Sequence, residues 1–176
     1  DRIPGRIYPE NNLASQLIGF MGDDGTGLSG IEYSQQSVLS PEIDSNSTGT
    51  IHGDNVYLTI DAGLQYKLQK IAAEAMKETQ AESIMLIAAD ATNGEILSYI
   101  SLPSANLNKY GAATTAERTD RASVTAYEPG SVFKIFSVAS FLDSSSITAD
   151  DSFLCDGIYQ RRTNLGETIK ITCLEH

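Results

Sequence analysis

The sequence contains no tryptophan and only two histidines, and its 12 basic residues are outnumbered by 23 acidic ones, which gives a net charge of −11. A surface of that charge repels nucleic acid and anionic lipid, so we expect neither as a partner. The two histidines, His52 and His176, stand in no cluster with the spacing of metal ligands. We therefore predict no metal site and no bound cofactor.

Long hydrophobic runs are also missing. The longest, Ile84 to Ala89, is followed at once by Asp90 and falls far short of the ~20 residues of a membrane-spanning helix. The opening DRIPGRIYPE lacks the apolar segment of a signal peptide, so any membrane anchor of the native protein is expected outside this chain. The hydrophobic fraction of 41% still suits a packed core, in one domain or in a small domain with part of another.

Cysteine is scarce, and its count leaves two interpretations open. Cys155 and Cys173 are the only two. A disulfide between them would place the protein outside the cytosol, whereas two separate thiols would carry no such implication. The ending Leu174-Glu175-His176 is equally open, because it matches the start of a vector-encoded histidine tag and is also compatible with native sequence.

Local patterns predict the first elements. Ser29 and Glu32 fit a capping box, which favours a helix from Gly30 to Leu39. The polar residues 44–50 that follow are predicted to be a linker.

A strand and a long helix are predicted next. Residues 56–60, VYLTI, have the composition of a strand, and Asp61 can cap the helix that follows, over about 62–80. Apolar residues at helical spacing predict its buried face: Leu64, Leu68, Ile71, Ala72, Ala75 and Met76.

The chain after this helix predicts a mixed fold. The β-rich runs SIMLIAAD and EILSYIS flank Asn93-Gly94, a pair that supplies the positive φ angles of a tight hairpin turn. Residues 102–126 are predicted to be a long loop or irregular helix, and residues 147–173 alternate short β-like pieces with turns. The order strand, helix, hairpin, loop, helix is typical of an α+β fold.

The most informative stretch is YEPGSVFKIF, residues 127–136. Between Ser131 and Leu142, Lys134 is the only charged residue, and a helix that is apolar around most of its circumference is usually buried. Desolvation lowers a lysine pKa, so a neutral Lys134 amine one turn from the Ser131 hydroxyl could act as its base. The alternative is a lysine that extends to solvent from a helix that Ser131 merely begins. These residues alone leave both interpretations open.

The same stretch resembles the active-site motif of class B penicillin-binding proteins, the peptidoglycan transpeptidases, in which Ser-x-x-Lys carries the nucleophile. The resemblance extends to VYLTIDAGLQYKLQKIA, to DATNGEILSYISLPSANLNKY and to DRASVTAYEPGSVFK. The upstream RIYPENNLASQLIGFMG and GTGLSGIEYSQQSVL resemble the end of the family's pedestal, or dimerisation, module. CDGIYQ with the later Cys173 is similar to a segment of some elongation-type members.

This resemblance implies a partial transpeptidase domain of the serine β-lactamase-like fold, preceded by a small irregular pedestal segment. Residues 1–52 would be the end of the pedestal with its linker, and residues 53–176 the first part of the catalytic domain. The two further elements of the family, a Ser-x-Asn triplet and a Lys-Thr-Gly or Lys-Ser-Gly strand, do not follow Lys134. We therefore expect a fragment that is inactive by itself.

The resemblance also implies a chemistry for the parent protein. Ser131 would be the acyl-accepting nucleophile and Lys134 its activating base. D-Ala-D-Ala stem peptides would be the substrate, β-lactams would acylate the same serine, and cell-wall synthesis proteins would be partners. The parent would act on the periplasmic side of the inner membrane, held by an N-terminal transmembrane helix absent from this chain.

Two other classes of function remain at this point. A β-lactam sensor or a serine β-lactamase shares Ser-x-x-Lys, although such proteins lack the segment that resembles the pedestal. A non-catalytic interaction module of the cell-wall machinery is the third possibility. If strands of the family's sheet are missing from this chain, one sheet edge should be unpaired, and such an edge, or uncovered apolar surface, favours self-association.

Overall fold

The computed structural model of the protein describes residues 6–40 and 52–173. The chain divides into two compact units, Asp1–Ala126 and Tyr127–His176. The predicted α+β class is confirmed. The boundary at residues 52 and 53, the linker 44–50 and the ending 174–176 are not tested, because residues 41–51 and 174–176 lie outside the described ranges.

The helices are α1 (Ser15–Ile18), α2 (Gly30–Ser34), α3 (Gln36–Leu39), α4 (Ala62–Thr79), α5 (Thr115–Arg118), α6 (Arg121–Val124) and α7 (Lys134–Asp143), and the strands are β1 (Ile84–Ala89), β2 (Ile96–Leu102), β3 (Ile158–Arg162) and β4 (Thr168–Thr172).

The predicted hairpin is confirmed. Strands β1 and β2 pair antiparallel from Ile84 opposite Leu102 to Ala89 opposite Ile96. The connection is not the tight two-residue turn that the sequence suggested. The Asp90 N–H donates to the Glu95 carbonyl at 2.9 Å, and within this loop only Gly94 has a positive φ, of 80°. The loop therefore needs one left-handed residue, which glycine adopts without a steric penalty.

The long helix α4 is confirmed together with its cap. The Asp61 carboxylate accepts a hydrogen bond from the Leu64 N–H at 2.9 Å, which satisfies one of the free donors at the helix start. The core beneath it contains Ala72, Ile100 and Leu102, with Leu68, Met76, Ile84 and Leu86 packed against them. Ile71 was predicted to be buried, and that prediction is wrong, since it is 59% exposed.

The buried face of α4 also contains two glutamines that were not predicted there, Gln65 and Gln69. The Gln65 Oε1 atom accepts from the Ser98 hydroxyl at 2.9 Å and from the Tyr99 N–H at 2.8 Å, while Gln65 Nε2 donates to the Tyr99 carbonyl at 2.9 Å. Gln65 Nε2 also donates to Gln69 Oε1, which accepts from the Ala14 N–H, both at 3.1 Å. Buried amides are tolerated when their hydrogen bonds are made. This chain of bonds joins the N-terminal segment, α4 and β2.

The capping box predicted at the start of residues 30–39 is wrong. Ser29 makes no side-chain bond to the helix, and the predicted single helix is broken at Gln35 into α2 and α3. The buried Glu32 carboxylate faces Arg6 instead, with its oxygens 2.9 Å from Nε and from a terminal guanidinium nitrogen. A charge-assisted pair of this kind offsets the cost of burying the carboxylate. The local sequence pattern around Glu32 does not show this pair, because Arg6 lies outside it.

The strand predicted at 56–60 is also absent. Residues 52–60 form no regular element, and this segment bonds β2 only near its end. The Thr59 hydroxyl donates to the Ile96 carbonyl at 2.6 Å and the Asp61 N–H to the Leu97 carbonyl at 3.0 Å. Tyr57 is 88% exposed, so the segment lacks the buried face that would fix it as a strand.

The predicted irregular region at 102–126 is confirmed. It contains a 3₁₀-helix at Leu107–Ala112 followed by α5 and α6. Helix α5 has a complete capping box, in which the Thr114 hydroxyl accepts from the Glu117 N–H and the Glu117 carboxylate accepts from the Thr114 N–H.

The second unit consists of a 3₁₀-helix at Gly130–Phe133, helix α7 and the β3–β4 hairpin, and the predicted β-like pieces in 147–173 are thereby confirmed. The prediction that α7 is buried is wrong. Ile135 is 68% exposed and Phe136 is 65% exposed, because no element among the described residues covers these side chains. Within the same described ranges each sheet has two strands, so β1 has no strand on its outer side, as expected.

No helix in residues 6–40 or 52–173 has both the length and the hydrophobicity to cross a bilayer.

Candidate active site

The turn that carries Ser131 begins at Pro129 and Gly130. Gly130 has a φ of 56°, a left-handed conformation that favours glycine. The Val132 N–H then donates to the Pro129 carbonyl at 3.3 Å, and the Lys134 N–H donates to the Ser131 carbonyl. The first turn is therefore a 3₁₀ turn and not the start of an α-helix as predicted, and α7 proper begins at Lys134.

The 3₁₀ geometry affects how Ser131 and Lys134 are placed. Side chains at positions i and i+3 eclipse one another in a 3₁₀-helix, so the Ser131 and Lys134 side chains leave the backbone on the same side, one turn apart. Both residues are exposed, and no hydrogen bond joins the two side chains within the described residues. The burial of Lys134 on which the sequence argument relied is therefore absent from this structure.

Two phenylalanines lie in this turn and at the start of the helix that follows it. The Phe133 and Phe136 rings lie 5.5 Å apart between centroids, with an angle of 46° between their planes. Phe133 is 55% exposed and Val132 is 66% exposed. The candidate nucleophile thus lies on an apolar surface that faces solvent in this chain.

The segment that leads to Ser131 contains a polar cluster that the sequence did not reveal. The Tyr99 hydroxyl donates to the two carboxylate oxygens of Asp120, at 2.9 and 3.0 Å. The Ser123 hydroxyl donates to the same carboxylate at 2.8 Å. Burial, and then the hydrogen bond with Asp120, raise the pKa of Tyr99 to about 12. The tyrosine is therefore a neutral donor at physiological pH.

Ser101, which lies on strand β2 with Tyr99, also binds the segment around Asp120. Its hydroxyl, which is buried, donates to the Thr119 carbonyl at 3.3 Å and accepts from the Arg121 N–H at 3.1 Å. Tyr99 thus binds Asp120 itself to β2, and Ser101 binds the residues on both sides of Asp120 to the same strand.

The two cysteines are brought together at the base of the second hairpin. The Cys155 and Cys173 sulfurs lie 3.1 Å apart, and the Cys173 N–H donates to the Gly157 carbonyl at 3.0 Å. The thiol hydrogen bond between them lowers the pKa of Cys155 and raises that of Cys173. This proximity favours the paired interpretation over two unrelated thiols.

A cleft of about 900 Å³ lies elsewhere, in the first unit, and its lining includes neither Ser131 nor Lys134. Phe20 and Tyr110 stack at its wall, with ring centroids 3.5 Å apart, and the Arg118 guanidinium lies 4.9 Å from the Tyr110 ring centroid.

One Ser-x-Asn triplet occurs at residues 104–106, upstream of Ser131 and not downstream as in the family's order. Its asparagine is a helix cap, since the Asn106 Oδ1 atom accepts from the Asn108 N–H at 3.0 Å. The triplet therefore has a structural role here.

Comparison with known proteins identifies the family of this chain. A family model described as the penicillin binding protein transpeptidase domain matches residues 84–172, just over half of the chain. The probable peptidoglycan D,D-transpeptidase FtsI of Caulobacter vibrioides is 35% identical over 148 residues, which cover 84% of this chain and 24% of the relative. The probable peptidoglycan D,D-transpeptidase PenA of Neisseria gonorrhoeae is 30% identical over 157 residues, which cover 79% of this chain and 27% of the relative.

Solved structures give the same result. Penicillin-binding protein 3 of Mycobacterium tuberculosis, in complexes with aztreonam and with ampicillin, matches with a TM-score of 0.81 and 27% identity, over 93% of this chain and 36% of that one. The chain spans about a quarter of the length of the curated relatives named above. The match over residues 84–172 includes Ser131 and Lys134, and the chain therefore belongs to the penicillin-binding protein transpeptidase family.

Proposed function

We propose that the protein to which this chain belongs is a peptidoglycan D,D-transpeptidase, in which Ser131 is the nucleophile and Lys134 its base. The observation that supports the proposal is the 3₁₀ turn, in which the Lys134 N–H bonds the Ser131 carbonyl, inside the region that matches the transpeptidase family. A hydroxyl becomes an effective nucleophile when an adjacent amine can take its proton.

The reaction uses these two groups in sequence. The Lys134 amine takes the proton of the Ser131 hydroxyl as the oxygen attacks the carbonyl carbon that joins the two D-alanines of a stem peptide. The terminal D-alanine leaves with a proton, and an ester to Ser131 remains. The amine of a second stem peptide then attacks the ester, which forms the cross-link and returns the proton to the serine.

β-Lactams are proposed to acylate the same hydroxyl. The Mycobacterium tuberculosis relative has been solved with aztreonam and with ampicillin. A β-lactam amide opened by Ser131 would leave an ester that blocks the nucleophile.

We propose that residues 53–176 form the first part of the transpeptidase domain, after the end of a pedestal module in residues 1–52. Acyl transfer also requires donors for the oxyanion and groups that hold the substrate. The family's Ser-x-Asn and Lys-Thr-Gly elements do not follow Lys134 in this sequence, and Lys134 is exposed. Groups that act as a unit lose function together, so this chain alone should not react efficiently.

An extracytoplasmic site of action is part of the proposal. The sulfurs of Cys155 and Cys173 lie 3.1 Å apart, a placement that suits an oxidising compartment, where disulfides persist. Partners in cell-wall synthesis are expected there, and the membrane anchor stays a prediction.

Covalent labelling with a fluorescent penicillin tests the assignment. The full-length protein should be labelled stoichiometrically, Ser131→Ala should abolish labelling, and Ser140→Ala, a matched serine change on exposed α7, should leave it unchanged. Labelling of Ser131→Ala would refute the role of this serine, and rapid labelling of the 176-residue chain would refute its predicted inactivity.

The rate at which the penicillin label is released from the acylated protein separates the proposal from its alternatives. Slow release of the label indicates a transpeptidase, and rapid hydrolysis indicates a β-lactamase. A full-length protein that is not labelled at all would support the non-catalytic interaction module.

A further inference from the structure

The two cysteines stand at the open end of the β3–β4 hairpin. Cys155 lies shortly before β3, and Cys173 directly follows β4. Both are exposed to solvent, so a reagent in solution can reach either sulfur. Their sulfurs lie 3.1 Å apart, close enough for one to react with a group attached to the other without rearrangement of the hairpin.

The surroundings of the two sulfurs differ, because Gly157 lies between them. The Cys173 thiol, and then the Gly157 N–H, donate to the Cys155 sulfur and lower the pKa of Cys155. The Gly157 carbonyl faces the other way and accepts from the Cys173 N–H at 3.0 Å. This arrangement uses a φ of 87° at Gly157, which glycine adopts without a steric penalty.

Cys173 has the opposite tendency. Its hydrogen bond with Cys155 raises the pKa of Cys173. The Asp156 carboxylate raises the pKa of both thiols and so does not distinguish them. Negative charge is therefore favoured on the Cys155 sulfur, and the thiolate is the form of cysteine that attacks a disulfide.

We propose that Cys155 is a site of reversible thiol modification, at which it attacks an external disulfide, and that Cys173 resolves the mixed disulfide that results. The inference is independent of the proposed acyl transfer, because its chemistry lies within residues 155–173 and uses neither Ser131 nor Lys134. It also assigns separate roles to two thiols that a simple pairing would leave equivalent.

The reaction has two steps. The Cys155 thiolate attacks one sulfur of the external disulfide, whose S–S bond breaks, and the other half leaves as a thiolate that takes up a proton. Cys173 then loses its proton to solvent, and its sulfur attacks the Cys155 sulfur. The second half of the reagent leaves as a thiol, so the two cysteines are oxidised to a disulfide and the external disulfide is reduced to two thiols.

The test uses reduced full-length protein, with oxidised glutathione as the external disulfide. Samples are quenched with acid, and tryptic cleavage at Arg161, Arg162 and Lys170 lets mass spectrometry follow each cysteine separately. In Cys173→Ser, which keeps a hydroxyl donor beside Cys155, the glutathione adduct of Cys155 should accumulate and persist. In Cys155→Ser, the adduct of Cys173 should form more slowly, by about threefold for each pH unit that separates the two pKa values.

Two controls attribute the difference to the fold. In concentrated urea the hydrogen bonds around Cys155 are lost, and the two variants should form their adducts at equal rates. In the unchanged, folded protein, a limiting amount of iodoacetamide should label Cys155 ahead of Cys173, which tests the order without any substitution.

Three outcomes would overturn the inference. The first is an adduct of Cys173 that forms as fast as that of Cys155 or faster, and the second is equal labelling of both thiols by limiting iodoacetamide. The third is a difference between the variants that persists in urea, since local sequence and not the fold would then set the order. Penicillin labelling of Ser131 is a separate measurement, so failure of either proposal leaves the other standing.

Discussion

The glutamine at the centre of the first unit provides a severe test of the fold. Gln65 is fully buried, with an exposed fraction of 0%, and it bonds Ser98, both backbone groups of Tyr99, and Gln69. Gln65→Met keeps the length of the side chain but removes all of these partners. The Tyr99 N–H and carbonyl are held by strand β2 and cannot turn to a new partner.

The expected cost follows from these losses. A buried polar group left without its partner costs about 1–3 kcal/mol. With the two backbone groups of Tyr99 affected, the free energy of unfolding should fall by about 2–6 kcal/mol, a large part of the ~5–15 kcal/mol that stabilises a typical domain. The Ser98 hydroxyl can rotate to another partner, so its lost bond should add little to the fall in the free energy of unfolding.

Urea unfolding followed by far-ultraviolet circular dichroism measures this change, since the chain has no tryptophan to report it. Lys67→Met introduces the same side chain at an exposed position of the same helix and should change stability by less than about 0.5 kcal/mol. A loss below about 1 kcal/mol in Gln65→Met would show that the buried amide network is not formed as described.

Three further predictions concern other parts of the chain. In oxidised protein, Cys155 and Cys173 should form a disulfide that closes a loop of about 17 residues, and reduction should lower stability by ~3 kcal/mol; two titratable thiols under oxidising conditions would contradict this. The pKa of Tyr99 is raised from 10.0 to about 12 in the folded protein, so its contribution to stability is complete below about pH 10 and is lost as the pH rises towards 12; the unfolding free energy of Tyr99→Phe should lack this part of the pH dependence. The chain should self-associate through its exposed apolar surface or the free edge of β1, Phe136→Glu should weaken this association if α7 mediates it, and sedimentation as a monomer at high concentration would refute the prediction.

Elements whose signals are local were predicted from the sequence. Helix α4 has its cap at Asp61 and its apolar periodicity within one continuous segment, and the hairpin has its glycine between two β-rich runs. The Ser131–Lys134 pair is likewise contained in four residues, but those residues alone left its chemistry open. The resemblance over several longer stretches was needed to identify the family that the match over residues 84–172 shows.

Features that depend on distant partners were not predicted. The partner of Glu32 lies 26 residues away at Arg6, so the local capping pattern was misleading. The Tyr99–Asp120 bond joins residues 21 apart. The buried face of α4 was assigned from apolar residues only, and its two glutamines are buried because their partners lie on other segments. The burial of α7 was inferred from composition, which cannot show whether a covering element is present in the same chain.

The hydrogen bonds of Gln69 have a consequence for local unfolding of this protein in solution. Gln69 accepts from the Ala14 N–H at 3.1 Å and donates to the Asn12 carbonyl at 2.9 Å, so residues assigned by resemblance to the pedestal complete the polar face of α4. Segments linked in this way tend to unfold as one cooperative unit. In native-state hydrogen exchange, the amides of Ala14 and Tyr99 should therefore share one opening free energy, although they lie on opposite sides of the boundary drawn at residue 52.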